Sequence, residues 1–143
     1  MTMMNPEPTY TIQQTSQITG LPSSTLRYYE DIGLLDPIRR TANGHRCYTD
    51  QDLLRLDLIK KLRLTNMPLE AMVAFIDLYR AGDETISHRR EIMQAHREAV
   101  QAHIAELNET LAFIDRKIAT YYEQEAEYER EHIEQHDEIP AAG

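Results

Sequence analysis

The feature that most constrains this chain is a run of about 40 residues without proline or glycine, from Glu84 to Glu123. Apolar residues recur along the run at steps of seven, in two rows offset by three or four residues. Two such rows are typical of a coiled-coil seam. A helix of this length is roughly 60 Å long, too long for a small domain to cover. The sequence therefore predicts a homodimer. Its predicted seam residues are Ile86, Met93, Val100, Ile104, Leu107, Leu111, Ile114, Ile118 and Tyr121.

Two short helices are predicted near the start of the chain. The first begins at Thr11, which stands three residues before Gln14 as in a capping box, and it ends at Gly20. The second opens at Pro22 and closes at Gly33. Two short helices joined by a glycine-containing turn are typical of a helix-turn-helix. The same pattern also fits a helical hairpin in any small α domain.

A β-hairpin is predicted next, because Asn43-Gly44 stands between two short strand-like runs. This dipeptide favours a two-residue type I′ turn, in which both residues have positive φ. Arginines in such a hairpin can keep a strand edge soluble or can bind phosphates. Directly after a helix-turn-helix the second role is favoured, and the hairpin is then a wing. Its arginines are Arg39, Arg40 and Arg46.

A second pair of helices follows the hairpin. The third helix is predicted over residues 50–64, and the fourth runs from Pro68 to about Arg80. Lys60 and Arg63 lie near the end of the third helix, where the helix dipole favours cations.

The net charge of −9 does not exclude a nucleic-acid partner, because the acidic residues are unevenly distributed. Residues 120–143 contain eight Asp or Glu against one Arg, whereas residues 1–63 contain eight Lys or Arg and seven Asp or Glu. The sequence predicts an acidic, mobile tail over 124–143 and a flexible N-terminus over 1–9.

Several classes of protein are disfavoured. A single cysteine excludes an internal disulfide and a multi-thiolate metal site. The chain has no nucleophile with a paired base, no glycine-rich phosphate loop and no metal triad, so we expect no enzyme, no cofactor and no metal. It has no apolar run of about 20 residues and no signal peptide, so we expect a cytoplasmic protein without a membrane partner.

Three linked motifs stand in the first third of the chain. They are Tyr10-Thr11-Ile12, then Thr25-Leu26-Arg27-Tyr28-Tyr29-Glu30 with Gly33-Leu34-Leu35, then Arg39-Arg40-Thr41-x-Asn43-Gly44-x-Arg46-x-Tyr48. Together they resemble the MerR family of bacterial transcription regulators. The resemblance covers roughly residues 9–122, and the order of the elements matches as well.

The resemblance implies a mostly α fold. A winged helix-turn-helix head with a small β-hairpin wing and a second helix pair spans 10–81. A long helix over 82–123 forms an antiparallel coiled-coil dimer with its copy. Family members bind pseudo-palindromic operators between promoter elements that are spaced too far apart. By bending and untwisting the DNA, they realign these elements for RNA polymerase.

Residues of this chain that match the family pattern are carried over as DNA contacts. Arg27 and Tyr28 would meet the major groove, the wing would contact the backbone or minor groove, and Thr11 would present a helix N-terminus to phosphate. The full set is Thr11, Ser24, Arg27, Tyr28, Arg39, Arg40, Asn43, Arg46, Tyr48, Lys60 and Arg63.

The effector is less clearly indicated. The chain looks like the short subgroup that responds to aldehydes and other electrophiles in stress, but Lys61 stands where that subgroup has its sensing cysteine. Cys47, in the second wing strand, is the remaining candidate sensor, and a packing role is its alternative. Two other functions stay open. One is a constitutive repressor without an effector. The other is a coiled-coil protein-interaction module, for which the wing arginines would be dispensable.

Overall fold

The computed structural model describes residues 7–137, with side chains described through Glu134. The chain divides into two units, Met1–His96 and Arg97–Gly143. We call the first the head unit. No helix in the described part is long and apolar enough to cross a membrane. The elements are β1 (Thr9–Tyr10), α1 (Ile12–Thr19), α2 (Ser23–Asp31), β2 (Arg39–Arg40), β3 (Arg46–Thr49), α3 (Asp50–Leu64), α4 (Leu69–Ala81), a 3-10 turn (Asp83–Thr85) and α5 (Ile86–Asp137).

The first two helices form as the sequence predicts. The Thr11 hydroxyl accepts the backbone N–H of Gln14 at 3.1 Å, and the Gln14 side chain accepts that of Thr11 at 2.9 Å. This is the predicted capping box. Helix α2 begins after Pro22, which supplies no side-chain cap. The predicted inward side of α2 is also confirmed, since Leu26 and Tyr29 are buried.

A three-stranded antiparallel sheet in the order β1-β3-β2 replaces the simple hairpin of the sequence analysis. The unpredicted strand β1 pairs Thr9 with Thr49 and Tyr10 with Tyr48. Its position corrects the predicted flexible N-terminus over 1–9, because regular structure already begins at Thr9. Residues 1–6 lie outside the described part of the chain.

The wing turn has three residues rather than the predicted two. Thr41 and His45 pair across it, since the Thr41 N–H donates to the His45 carbonyl at 2.8 Å. Within the loop the Gly44 N–H donates to the Thr41 carbonyl at 2.8 Å. Gly44 has φ +80, whereas Asn43 does not have the positive φ that a type I′ turn requires. The prediction of a type I′ turn was therefore wrong.

Tyr48 lies in the hydrophobic core of the head unit, not on its surface. Its side chain is completely buried, and it belongs to one cluster with Leu26, Leu56 and Ile76. Its hydroxyl has no hydrogen-bond partner among the described residues, and burial raises the pKa of the phenol. The prediction of Tyr48 as a DNA contact is therefore wrong. Strand β3 packs this side chain against the helices, so it cannot reach a partner.

Helix α5 differs from its prediction at both ends. Ile92 and Met93 pack against the core of the head unit, so Met93 does not lie free on the predicted seam. At the other end, the helix continues past Glu123 to Asp137. The tail predicted to be mobile is therefore helical as far as it is described. Residues 138–143 lie outside the described part.

The Tyr48 hydroxyl, which has no hydrogen-bond partner among the described residues, leads to a prediction about stability. Replacing Tyr48 with Phe removes a buried polar group that has no partner and keeps the ring that fills the core. We expect the free energy of unfolding to rise by about 1 kcal/mol in urea denaturation. As the control, Tyr48→Ala leaves a cavity and should lower it by about 3–5 kcal/mol. A loss of 1 kcal/mol or more in Tyr48→Phe would contradict the assignment of the hydroxyl as unpartnered.

Candidate nucleic-acid interface

Three segments of the head unit meet around a shallow cavity of about 370 Å³. They are the start of α1, the middle of α2 and the wing turn. The structure thus brings together two predicted contacts, Thr11 and Arg27, with the wing. Gln13 and His45 also belong to this surface and were missed, because no local pattern marks them. The lining residues are Thr11, Ile12, Gln13, Arg27, Gly44, His45 and Arg46.

Helix α2 presents a polar outer face beside this cavity. Leu26 and Tyr29 anchor the helix in the core, which leaves Arg27 and Tyr28 exposed, with Tyr28 50% accessible. Ser24 is exposed in the first turn of the same helix. Because Pro22 supplies no capping oxygen, the first N–H groups of α2 receive no side-chain cap. The guanidinium of Arg27, the phenol of Tyr28 and the hydroxyl of Ser24 are therefore exposed on one side of α2.

The wing carries its exposed charge on β2. Arg39 and Arg40 are both exposed, and so is Asn43 in the turn. The Arg40 guanidinium donates to the Gly44 carbonyl at 3.0 Å, which braces the turn. Among the described residues, neither of these arginines forms an ion pair. Their charge is therefore available to an anionic partner.

Glu30 of α2 bonds strand β3 and the residue just before strand β2. One carboxylate oxygen accepts the Arg46 Nε–H at 3.0 Å, and the other accepts the Ile38 backbone N–H at 3.1 Å. The side chains of Arg46 and Glu30 are only 19% and 18% exposed. Arg46, a predicted DNA contact, is thus half-buried in an internal ion pair. No local pattern in the sequence marks Glu30 as a site residue, because its partners lie 16 and eight residues away.

Lys60 and Arg63 are exposed on α3, as a basic patch would require. Lys60 also has a structural partner, since its ammonium donates to the carbonyl of Thr19 at the end of α1. A cation at this end is favoured by the helix dipole.

The two candidate sensor positions, Cys47 and Lys61, are not among the residues that line this cavity. Cys47 is half-buried in β3, where it pairs with Arg39 of β2. Lys61 forms an exposed ion pair with Asp57 at 2.8 Å. Among the described residues, no group of three or more metal-ligating side chains comes together.

Comparison with known proteins agrees with this geometry. The family model "MerR HTH family regulatory protein" matches residues 10–77, and "MerR, DNA binding" matches residues 53–117. The regulator YyaN of Bacillus subtilis (strain 168) is 34% identical, over 79% of this chain and 91% of its own. AdhR of the same organism is 35% identical, over 57% of this chain and 59% of its own.

The fold is also similar to a solved structure. HiNmlR, described as a MerR family regulator lacking the sensor domain, was crystallised bound to promoter DNA. It superposes with a TM-score of 0.78 at 34% identity, over 83% of this chain and 94% of its own. These relatives are transcription regulators rather than enzymes.

The Glu30 contacts predict how firmly the wing is held. Glu30→Gln keeps the shape of the side chain but removes the charge that binds Arg46. We expect the free energy of unfolding to fall by about 1–3 kcal/mol in urea denaturation. Asp31→Asn, which neutralises the exposed neighbouring acid, is the matched control and should change it by less than about 0.5 kcal/mol. Equal effects of the two substitutions would show that Glu30 does not hold the wing.

Proposed function

This chain belongs to the MerR family of helix-turn-helix transcription regulators, and we propose that it works as a homodimer on a pseudo-palindromic promoter operator, which it bends and untwists. The observation that carries the proposal is the grouping of Arg27, the α1 N-terminus and the wing turn around one surface of the head unit. The relative HiNmlR, which was crystallised bound to promoter DNA, supports promoter binding by this chain.

Helix α2 is the element proposed to enter the major groove, which admits an α-helix. Arg27 has the geometry for a bidentate contact with guanine, the commonest specific contact in that groove. Tyr28 and Ser24 lie on the same exposed side and would contact neighbouring bases or phosphates.

The wing is proposed to contact the DNA backbone. Arg39 and Arg40 supply the charge, and Asn43 supplies an amide at the tip of the turn. Phosphate contacts set affinity and register without reading sequence. The sequence predicts Arg46 as a DNA contact. We propose instead that Arg46 holds the wing in place, because it forms an ion pair with Glu30.

Thr11, Lys60 and Arg63 are proposed to extend the contact with the DNA backbone. Thr11 caps α1, whose N-terminal N–H groups can bind a phosphate. On α3, Arg63 would bind the backbone directly. Lys60 would do so with the donors that its bond to Thr19 leaves free.

The second unit is proposed to join two copies. From Ile104 to Tyr121 its seam residues are roughly half exposed in the single chain, which is costly in water. A second copy of the same helix would cover them. RNA polymerase is the proposed downstream partner, because the proposed operator lies within a promoter. A cytoplasmic, nucleoid-associated location follows from this function.

The proposal is tested by fluorescence anisotropy with DNA from upstream of the protein's own gene and a scrambled control, across a salt series. We expect at least about 1,000-fold preference for the upstream fragment and a steep salt dependence. Equal affinity for both fragments would overturn the operator-binding proposal and favour a protein-interaction module.

The proposed roles of Arg27 and Arg39 differ in a measurable way. Arg27→Ala should cost about 1–3 kcal/mol on the operator and relax the preference at the contacted base pair. Arg39→Ala should weaken binding to all sequences about equally and reduce the salt slope by about one unit per subunit. Matched anisotropy titrations measure both quantities. Indistinguishable effects on slope and preference would refute this division of roles.

We further propose that operator binding is not switched through a thiol. Lys61 occupies the sensor position and pairs with Asp57, and Cys47 is half-buried. We expect Cys47→Ser to change operator affinity by less than about threefold, since it replaces one small side chain with another. We also expect iodoacetamide to leave the affinity of the unchanged protein the same. An effect of iodoacetamide that Cys47→Ser abolishes would identify Cys47 as a sensor.

A further inference from the structure

A second cavity of the head unit is lined by side chains of α3 and α4 and by Asp36, which stands shortly before β2. Its volume is about 380 Å³. None of its lining residues also lines the cavity between α1, α2 and the wing. The cavity is therefore separate from the proposed DNA surface.

The buried side of this cavity is apolar. Phe75 and Ile76 of α4 belong to the hydrophobic core, and Leu58 of α3 packs against it. Leu54 and Tyr79 also line the cavity, although their side chains are 72% and 56% exposed. Large apolar side chains exposed around a concave surface are typical of a ligand site. The cavity therefore fits a ligand with an apolar body.

Three charged residues line the cavity, and two of them have partners within the head unit. The carboxylate of Asp36 accepts the Arg80 Nε–H at 2.7 Å. The carboxylate of Asp52 accepts the Thr49 backbone N–H at 2.9 Å in the capping box of α3. Arg55 is half-buried and forms no ion pair within residues 7–134. The cavity therefore has one positive group that is available to an anion.

The ring of Tyr79 contacts two guanidinium groups. The guanidinium carbon of Arg55 lies 5.2 Å from the ring centroid, and that of Arg89, at the start of α5, lies 5.1 Å from it. Arg89 donates to the Thr85 hydroxyl at 3.0 Å, and Arg55 donates to the Leu34 carbonyl at 3.4 Å. Neither arginine has a carboxylate partner in the described part of the chain. An anion would relieve the repulsion between these two like charges.

From these contacts we propose that the cavity binds a small carboxylic acid with an apolar body. The carboxylate pairs with Arg55, and the apolar body covers Leu54 and the ring of Tyr79. A planar guanidinium can form two parallel hydrogen bonds with a carboxylate. A cationic ligand would instead be repelled by the unpaired Arg55. The site goes beyond operator binding and does not depend on it, because it uses other residues of the head unit.

A nuclear magnetic resonance titration of the full-length protein without DNA tests the site. The probe is 3-phenylpropanoate, and 3-phenylpropanamide, which has the same ring but no charge, is the matched control ligand. We expect the backbone resonances of residues 54–58 and 75–79 to shift saturably, with a dissociation constant of about 1 mM or lower. The amide should bind at least about tenfold more weakly. The absence of a saturable shift with the acid, or equal affinity for both compounds, would overturn the proposal.

The positions of the shifted resonances separate this cavity from the proposed DNA surface. An acid that simply seeks positive charge would bind the exposed wing arginines Arg39 and Arg40. Shifts that are largest at these two residues would overturn the inference. Because the titration contains no DNA, its failure leaves operator binding untouched. Failure of the operator test likewise leaves this site untouched.

Substitutions at Arg55 test its pairing with the carboxylate. Arg55→Gln removes the charge and should raise the dissociation constant of the acid at least about tenfold. Arg55→Lys keeps the charge and should cause a smaller loss. Equal losses in these two variants would show that the charge of Arg55 does not bind the acid, and would overturn the proposal.

Arg90→Gln is the matched control. It removes an exposed guanidinium of the same unit that does not line the cavity. It should change the dissociation constant of the acid by less than about twofold. A control effect as large as that of Arg55→Gln would assign the binding to net charge and overturn the specific site.

Discussion

The proposed dimer depends on the apolar rows of α5. A single chain leaves Leu107, Leu111 and Ile114 about half exposed, and α5 is the one element among the described residues of its unit. Burying such side chains is the main favourable term in association. A second copy would supply a matching surface with the same spacing. Pairing of these helices would also join two head units, so that one dimer could bind both half-sites of an operator.

Within the head unit, the hydrophobic core and the contacts of Glu30 position the exposed side chains of α2 and the wing. The core fixes α2 through Leu26 and Tyr29, and this turns Arg27 outward. Glu30, on the next turn of the same helix, holds the wing through Arg46 and Ile38. The helix and the wing are therefore positioned by one element. We infer that a substitution of Glu30 would displace the wing relative to α2 and so weaken the DNA binding proposed for both.

Much of this architecture could be predicted from sequence, because its signals are local. The capping box at Thr11 and the inward face of α2 depend on residues within a turn or two of one another. Other features depend on distant partners. Strand β1 exists only through its pairing with β3, and the burial of Tyr48 depends on the helices packed over that strand. The acidic run after Glu123 predicts a mobile tail, but glutamate and alanine also favour helix, and α5 continues through this run to Asp137.

The linkage of two head units through α5 is tested by measuring how operator affinity responds to the spacing of the half-sites. Inserting five base pairs at the operator centre turns one half-site about half a helical turn relative to the other. A dimer with two linked heads should then lose at least about 100-fold in affinity, approaching that of a single half-site. An affinity that is unchanged by the insertion would mean that the two heads bind independently and would contradict their linkage through α5.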